Sequence, residues 1–128
     1  MNTNPRRILI VDDESGFTRL LKLTLEKTGK FLVQEVNAAE QAHAAARQFK
    51  PDVILLDIVM PKIDGGDVAA QMRGDAQLKN VPIIFLTAIV SSKEASASEM
   101  MGGFPFLAKP ISLDDLIECI DKHAPTGK

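Results

Sequence analysis

The sequence has no tryptophan, no tyrosine, a single cysteine and only two histidines. Without an indole or a phenol, it lacks the rings that usually stack on a bound flavin. Cys119 alone cannot close an internal disulfide, and it reads as a core thiol on a helix. His43 and His123 have no partners at metal-ligand spacing, so both read as solvated helix residues. No cluster of lysine and arginine stands out, the net charge is −2 and the pI is about 5.6, so the electrostatic footprint of direct nucleic-acid binding is missing. No apolar run approaches the ~20 residues of a membrane span, and no membrane association is expected. Asn2 to Arg7 is polar and runs straight into a strand-like segment, so no signal peptide is expected and the default location is cytoplasmic. There is no internal repeat, low-complexity tract or linker. The length of 128 residues suits one domain, 1–128, with a core at about 7–123.

What the chain does have is four apolar runs, each ending in a residue with chemistry. Ile8 to Val11 runs into Asp12-Asp13, Val53 to Leu56 into Asp57, Ile83 to Leu86 into Thr87, and Phe104 to Ala108 into Lys109-Pro110. Strand-like and helix-like segments alternate, which predicts an α/β fold with a parallel sheet. Strands are predicted at 7–12, 31–36, 52–57, 81–87 and 104–108. A helix over 15–28 carries Phe17, Leu20, Leu21, Thr24 and Leu25 on one stripe, with Gly29 as its stop. Asn37 and Glu40 have the spacing of a capping box for a second helix, whose apolar face is Ala42, Ala45, Ala46 and Phe49. Gly65-Gly66 opens a third helix with Val68, Ala69 and Met72. Ser91 and Glu94 open a fourth, stopped by Gly102-Gly103, with Met100 and Met101 packed under it. Ser112 and Asp115 start the last, with Leu113, Leu116, Ile117 and Ile120 inward.

Runs one, three and four are almost uniformly apolar, as central parallel strands are. Gln34 and Glu35 mark the second run as an edge, and Pro105 marks the fifth. Right-handed crossovers then favour a doubly wound five-stranded parallel sheet in the order 2-1-3-4-5. Its switch point lies between strands one and three, where ligands bind in open α/β sheets. Asp12, Asp13 and Asp57 meet there.

Each of these residues has an ordinary explanation taken alone. An acidic pair between strand and helix is usually a cap or a dipole partner. Asp57 can be a strand exit, Thr87 a strand threonine, Lys109 a solvated charge and Pro110 a strand terminator. Together they say more. Three carboxylates in one crevice repel one another unless protons or a cation intervene, and a hard ion such as Mg²⁺ takes oxygen ligands. Thr87 supplies a hydroxyl donor, and Lys109 an ammonium that can clamp developing phosphoryl charge. The Lys109–Pro110 bond is expected to be cis, turning sharply while Lys109 aims inward.

The motifs ILIVDD, VILLDIVMP, IIFLTA and FLAKP, in this order, make the chain resemble a response-regulator receiver domain, in the compact form of the stand-alone chemotaxis-type regulators. The resemblance runs from Arg7 to about His123. It implies a single receiver domain of flavodoxin-like fold, a signalling module of a two-component phosphorelay. Asp57 would take a phosphoryl group from a sensor histidine kinase or histidine phosphotransfer protein. Asp12, Asp13, Asp57 and the Val59 carbonyl would hold Mg²⁺. Thr87 and Lys109 would read the phosphoryl group, and Phe106 would be the aromatic switch. The module would catalyse only its own phosphorylation and a slow dephosphorylation, which apolar Val59 and Ile89 leave without a group to orient water. Its output would be protein binding to an unidentified partner, through the face of the fourth helix, fifth strand and last helix. Gly103-Phe104-Pro105 departs from the small and acidic residues common there, and Phe106 lacks the hydroxyl of a tyrosine.

Three other functions compete. A constitutive interaction module would keep the fold without using phosphorylation. A haloacid-dehalogenase-type phosphohydrolase wants a second aspartate two residues after the nucleophile, where Val59 stands. A flavin binder would need a phosphate-binding loop after strand one, which Asp12-Asp13 does not provide.

Overall fold

Strands that are apolar at every position need cover on both faces, and the alternation of side chains decides which residue goes to which face. A computed structural model describes residues 5–58, 60, 65–87, 100–101 and 104–124. The strands are β1 (Arg6–Val11), β2 (Phe31–Val36), β3 (Val53–Asp57), β4 (Ile83–Thr87), β5 (Met100–Met101) and β6 (Phe104–Ala108). The described helices are α1 (Ser15–Lys27), α2 (Ala42–Phe49, entered through a 3₁₀ turn at Ala39–Gln41), α3 (Gly65–Arg73) and α4 (Leu113–His123). Leu9, Val11, Ile54, Leu56, Ile83 and Phe85 face α2 and α3, meeting Ala42, Ala46, Val68 and Met72. Their neighbours in sequence, Ile8, Ile10, Val53, Leu55, Ile84 and Leu86, face α1 and α4, meeting Leu21, Leu25, Leu116 and Ile120. Helices thus cover both faces of a doubly wound sheet.

The five long strands run parallel in the expected order, β2-β1-β3-β4-β6. One addition corrects the sequence reading. Met100 and Met101, expected beneath a helix, form the short strand β5, antiparallel to β6, with Met100 opposite Pro105 and Met101 opposite Phe104. Two glycines suit a hairpin connection as well as a helix stop, which is why the sequence misleads here. Pro105 therefore lies on the last parallel strand but not at the rim of the sheet. The rest of the expected fourth helix, 91–99, lies outside the described residues.

Two smaller expectations also change. Leu20 does not join the inward stripe of α1; it is 66% exposed, because the buried line runs through Thr18, Leu21 and Leu25. Asn37 does not cap the second helix. Ala38 occupies that position with no side-chain cap, and the Asn37 amide reaches the β1–α1 loop instead. Ser112 does cap α4, accepting the Asp115 N–H at 3.0 Å. At the β2 rim, the Val33 N–H donates to Glu26 at 2.9 Å and the Val33 carbonyl accepts from Lys22 at 2.9 Å, so α1 satisfies outward backbone groups that no strand pairs.

Candidate functional site

β1 and β3 are neighbours in register, Val11 opposite Leu56, so the residues that follow them leave the sheet side by side. Asp12 and Asp57 are both buried there, and Asp13 is exposed at the rim. Oxygens of the three carboxylates lie within 4.8 Å of one another. Such crowding of like charge is unfavourable without a counter-charge. The set consists of hard oxygen donors, the chemistry a hard divalent cation such as Mg²⁺ prefers. The described residues therefore fit that ion.

Lys109 supplies a resident counter-charge. It follows β6, two strands from β3, and its side chain comes back across the strand ends. Its ammonium donates to Asp12 Oδ2 at 2.7 Å and to Glu14 Oε1 at 3.3 Å, and lies 3.9 Å from Asp57 Oδ1. The Phe17 ring lies 4.4 Å from the same nitrogen, a cation–π contact. Burial alone would push this ammonium's pKa down. The Asp12 hydrogen bond and the charges of Asp12 and Asp57 outweigh burial, and the pKa rises above the ordinary lysine value. The Lys109–Pro110 peptide bond is cis, as expected from the sequence.

The acidic turn is held from below. Asn37 Nδ2 donates to the Asp12 carbonyl at 2.8 Å and to Thr18 Oγ1 at 2.9 Å. The Thr18 hydroxyl donates to Glu35 at 2.8 Å, and Arg19 Nε donates to the other Glu35 oxygen at 2.9 Å. Burial would raise the Glu35 pKa, but the Arg19 and Thr18 hydrogen bonds and the Arg19 charge pull it below the ordinary carboxylate value. On the β3 side, Gly65 presses the start of α3 against the strand exit. A Cβ there would stand 2.5 Å from the Asp57 carbonyl oxygen and 2.8 Å from Ile58 Cα, so only glycine fits. Its N–H donates to the Ile58 carbonyl at 2.8 Å.

Of the remaining expected site residues, Thr87 ends β4 opposite Ala108, on the same rim between β3 and β6. Phe106 is buried on β6 opposite Phe85, within the core on the α2–α3 face. Val59 and Ile89 lie outside the described residues. Glu14, Phe17 and the Asn37–Thr18–Glu35 chain were not expected at the site: the sequence placed Phe17 on a helix stripe, Asn37 at a cap and Glu35 on an edge strand. Only Glu14 carried a local signal, as a third acid directly after Asp12-Asp13. His43 is also not merely solvated, since its Nε2 lies 2.8 Å from Asp75.

Residues 8–121 match the family model described as the response regulator receiver domain. Protein PilH of Pseudomonas aeruginosa is 37% identical over 117 residues, covering 90% of this chain and 94% of that protein. The dual master transcriptional regulator RpaA of Synechocystis is 32% identical over 111 residues, 87% of this chain, which spans only 46% of RpaA's length. Chemotaxis protein CheY4 of Vibrio cholerae is similar in structure, with a TM-score of 0.80 and 27% identity over 94% of this chain and 99% of that one. No helix among the described residues is long and apolar enough to cross a membrane. Three carboxylates at the switch point, an ammonium returned to them across the strand ends, and a family match over nearly the whole length lead to one conclusion: the chain belongs to the response-regulator receiver domain family.

Proposed function

We propose that Asp57 is the phosphoacceptor of a two-component phosphorelay, and that residues 1–128 act as a single receiver module in the cytoplasm. The observation that supports this most is the partly neutralised acidic pocket: buried Asp12 and Asp57, rim Asp13, and Lys109 between them. The donor is a phosphohistidine on a sensor histidine kinase or histidine phosphotransfer protein. An Asp57 oxygen attacks phosphorus, the new O–P bond forms as the P–N bond breaks, and the imidazole leaves.

Little covalent chemistry falls to the protein in such a transfer, so positioning and electrostatics carry the rate. Mg²⁺ held by Asp12, Asp13, Asp57 and the Val59 carbonyl would neutralise charge on the carboxylate and on the incoming group. Lys109 would provide positive charge to the phosphoryl oxygens, and Thr87, at the end of the neighbouring strand β4, would provide a hydroxyl donor. The product is a dianion where a monoanion stood, so Lys109 and Thr87 acquire a stronger partner. Phe106, buried on β6 beside the strand that ends in Thr87, is the large side chain whose packing would respond, and it would do so by shape alone. The output is altered binding of a downstream protein on the β6–α4 side, with no direct nucleic-acid contact.

Incubation with a small phosphodonor and Mg²⁺ should add one phosphoryl mass to the wild type and none to Asp57→Asn. Equal uptake of an acid- and base-labile label by Asp57→Asn would overturn the assignment.

A further inference from the structure

The Lys109 ammonium has three N–H donors, and three carboxylates, Asp12, Glu14 and Asp57, lie close around it. It donates to Asp12 at 2.7 Å and to Glu14 at 3.3 Å, while Asp57 at 3.9 Å is within ion-pair reach but beyond a hydrogen bond. Phe17 covers another side at 4.4 Å. Asp57 lies farther from the ammonium than its two hydrogen-bond partners, so a phosphoryl group there would draw the ammonium away from them. The two contacts are unequal. Asp12 is fully buried and its bond is short. The Glu14 side chain is 66% exposed, its bond is longer, and its carboxylate loses little by returning to water.

We propose that Glu14 is a positioning residue: it restrains Lys109 in the unphosphorylated pocket and so sets how readily the ammonium passes to a phosphoryl group on Asp57. This rests on the assignment of Asp57 as phosphoacceptor. Glu14 is tied to the pocket twice, since its backbone N–H donates to Asp12 Oδ1 at 3.0 Å while its side chain reaches Lys109. It therefore touches both partners of the buried ion pair without belonging to the tight carboxylate trio. Its carboxylate competes directly with the acceptor for one cation. Releasing that competition should favour the phosphorylated form.

The test is a beryllofluoride titration with Mg²⁺, followed by amide NMR, with phosphoryl uptake from a small donor measured alongside. Glu14→Gln should bind beryllofluoride roughly two- to fivefold tighter, the span open to an exposed ion pair, and should take up label faster by a similar factor. Glu14→Asp keeps the charge but is one methylene too short to reach Lys109, so it should behave like Glu14→Gln. In a Lys109→Met background, Glu14→Gln should change nothing. Wild-type binding with an unchanged Glu14→Gln would overturn the proposal and leave Asp57 in place. So would Glu14→Asp matching the wild type, because charge alone would then suffice, or an effect that survives in Lys109→Met. If the wild type binds no beryllofluoride, the Asp57 assignment fails and the role of Glu14 falls with it.

Discussion

Two acidic clusters in this molecule differ in their charge balance. At the strand ends, Asp12, Asp13 and Asp57 crowd together, and Lys109 is the close cation that the described residues show. Between α2 and the loop after α3, a single carboxylate, Asp75, has two cationic or potentially cationic partners, His43 Nε2 at 2.8 Å and Arg47 Nη1 at 3.2 Å. It also accepts the Gln77 N–H at 2.8 Å. The second cluster is complete within the chain and ties α2 to the start of the β4 approach. The first, among the described residues, holds three carboxylates against one lysine. The difference separates a fastening from a site: a structural ion cluster closes its own charge balance, whereas a binding pocket leaves it open for a ligand to close.

The largest contrast should come from neutralising one carboxylate in each cluster. Asp57→Asn should lose phosphoryl uptake entirely, while Asp75→Asn should keep the wild-type rate, both read by intact-protein mass. Uptake reduced equally by the two would erase the distinction.

Next in size is the response to metal. Asp13→Ala removes one of the crowded charges, so the metal-free variant should melt about 2–4 °C above the parent. Mg²⁺ should then stabilise it far less than it stabilises the wild type. Thermal melts with and without Mg²⁺ measure both, and an undiminished Mg²⁺ effect would count against the trio as the ion site.

The pH dependence of stability separates the clusters more subtly. The Gln77 N–H, against the opposing effect of burial and with help from His43 and Arg47, holds the Asp75 pKa below its ordinary value. A carboxyl depressed in the folded state contributes stability above its unfolded pKa and loses it as pH falls through the folded one. Wild type and Asp75→Asn should therefore differ in melting temperature at neutral pH and converge in acid. Lys109 has the opposite sign. Its raised pKa means its contribution is full below the ordinary lysine value and fades as pH rises above it. Lys109→Met should thus be the less stable form at neutral pH and approach the wild type only in strong alkali. This is the smallest effect, because removing the ammonium also removes a desolvation cost.

The sheet order, the meeting of Asp12, Asp57 and Lys109, and the place of Thr87 at the same strand-end rim were readable because all follow from local pattern. Apolar runs without alternation declare central strands, and in a parallel sheet the residue after each run must emerge at the same rim. What escaped the reading depends on reach rather than pattern. Asn37 had good capping chemistry locally, yet its amide is spent on the Asp12 carbonyl, 25 residues away in sequence. His43 meets Asp75 across 32 residues, and no spacing rule covers such a pair. Leu20 fitted a stripe but lies just outside the contact arc of α1. Met100-Met101 carried a real ambiguity, since glycine after an apolar pair ends a helix or turns a hairpin equally well.

The side chains that satisfy β2 also bear on self-association. An open strand edge is a template on which a second copy can add its own strand, and growth of that kind ends in aggregates. Here a newcomer would first have to displace Glu26 from the Val33 N–H and Lys22 from the Val33 carbonyl. The opposite rim is occupied by the two residues of β5. The Val33 N–H, against the opposing pull of burial and with help from Lys22, keeps the Glu26 carboxylate ionised to lower pH than usual. That protection persists through mildly acid conditions and lapses once Glu26 is protonated. Acid exposure should therefore open the β2 edge and make this chain prone to strand-by-strand aggregation.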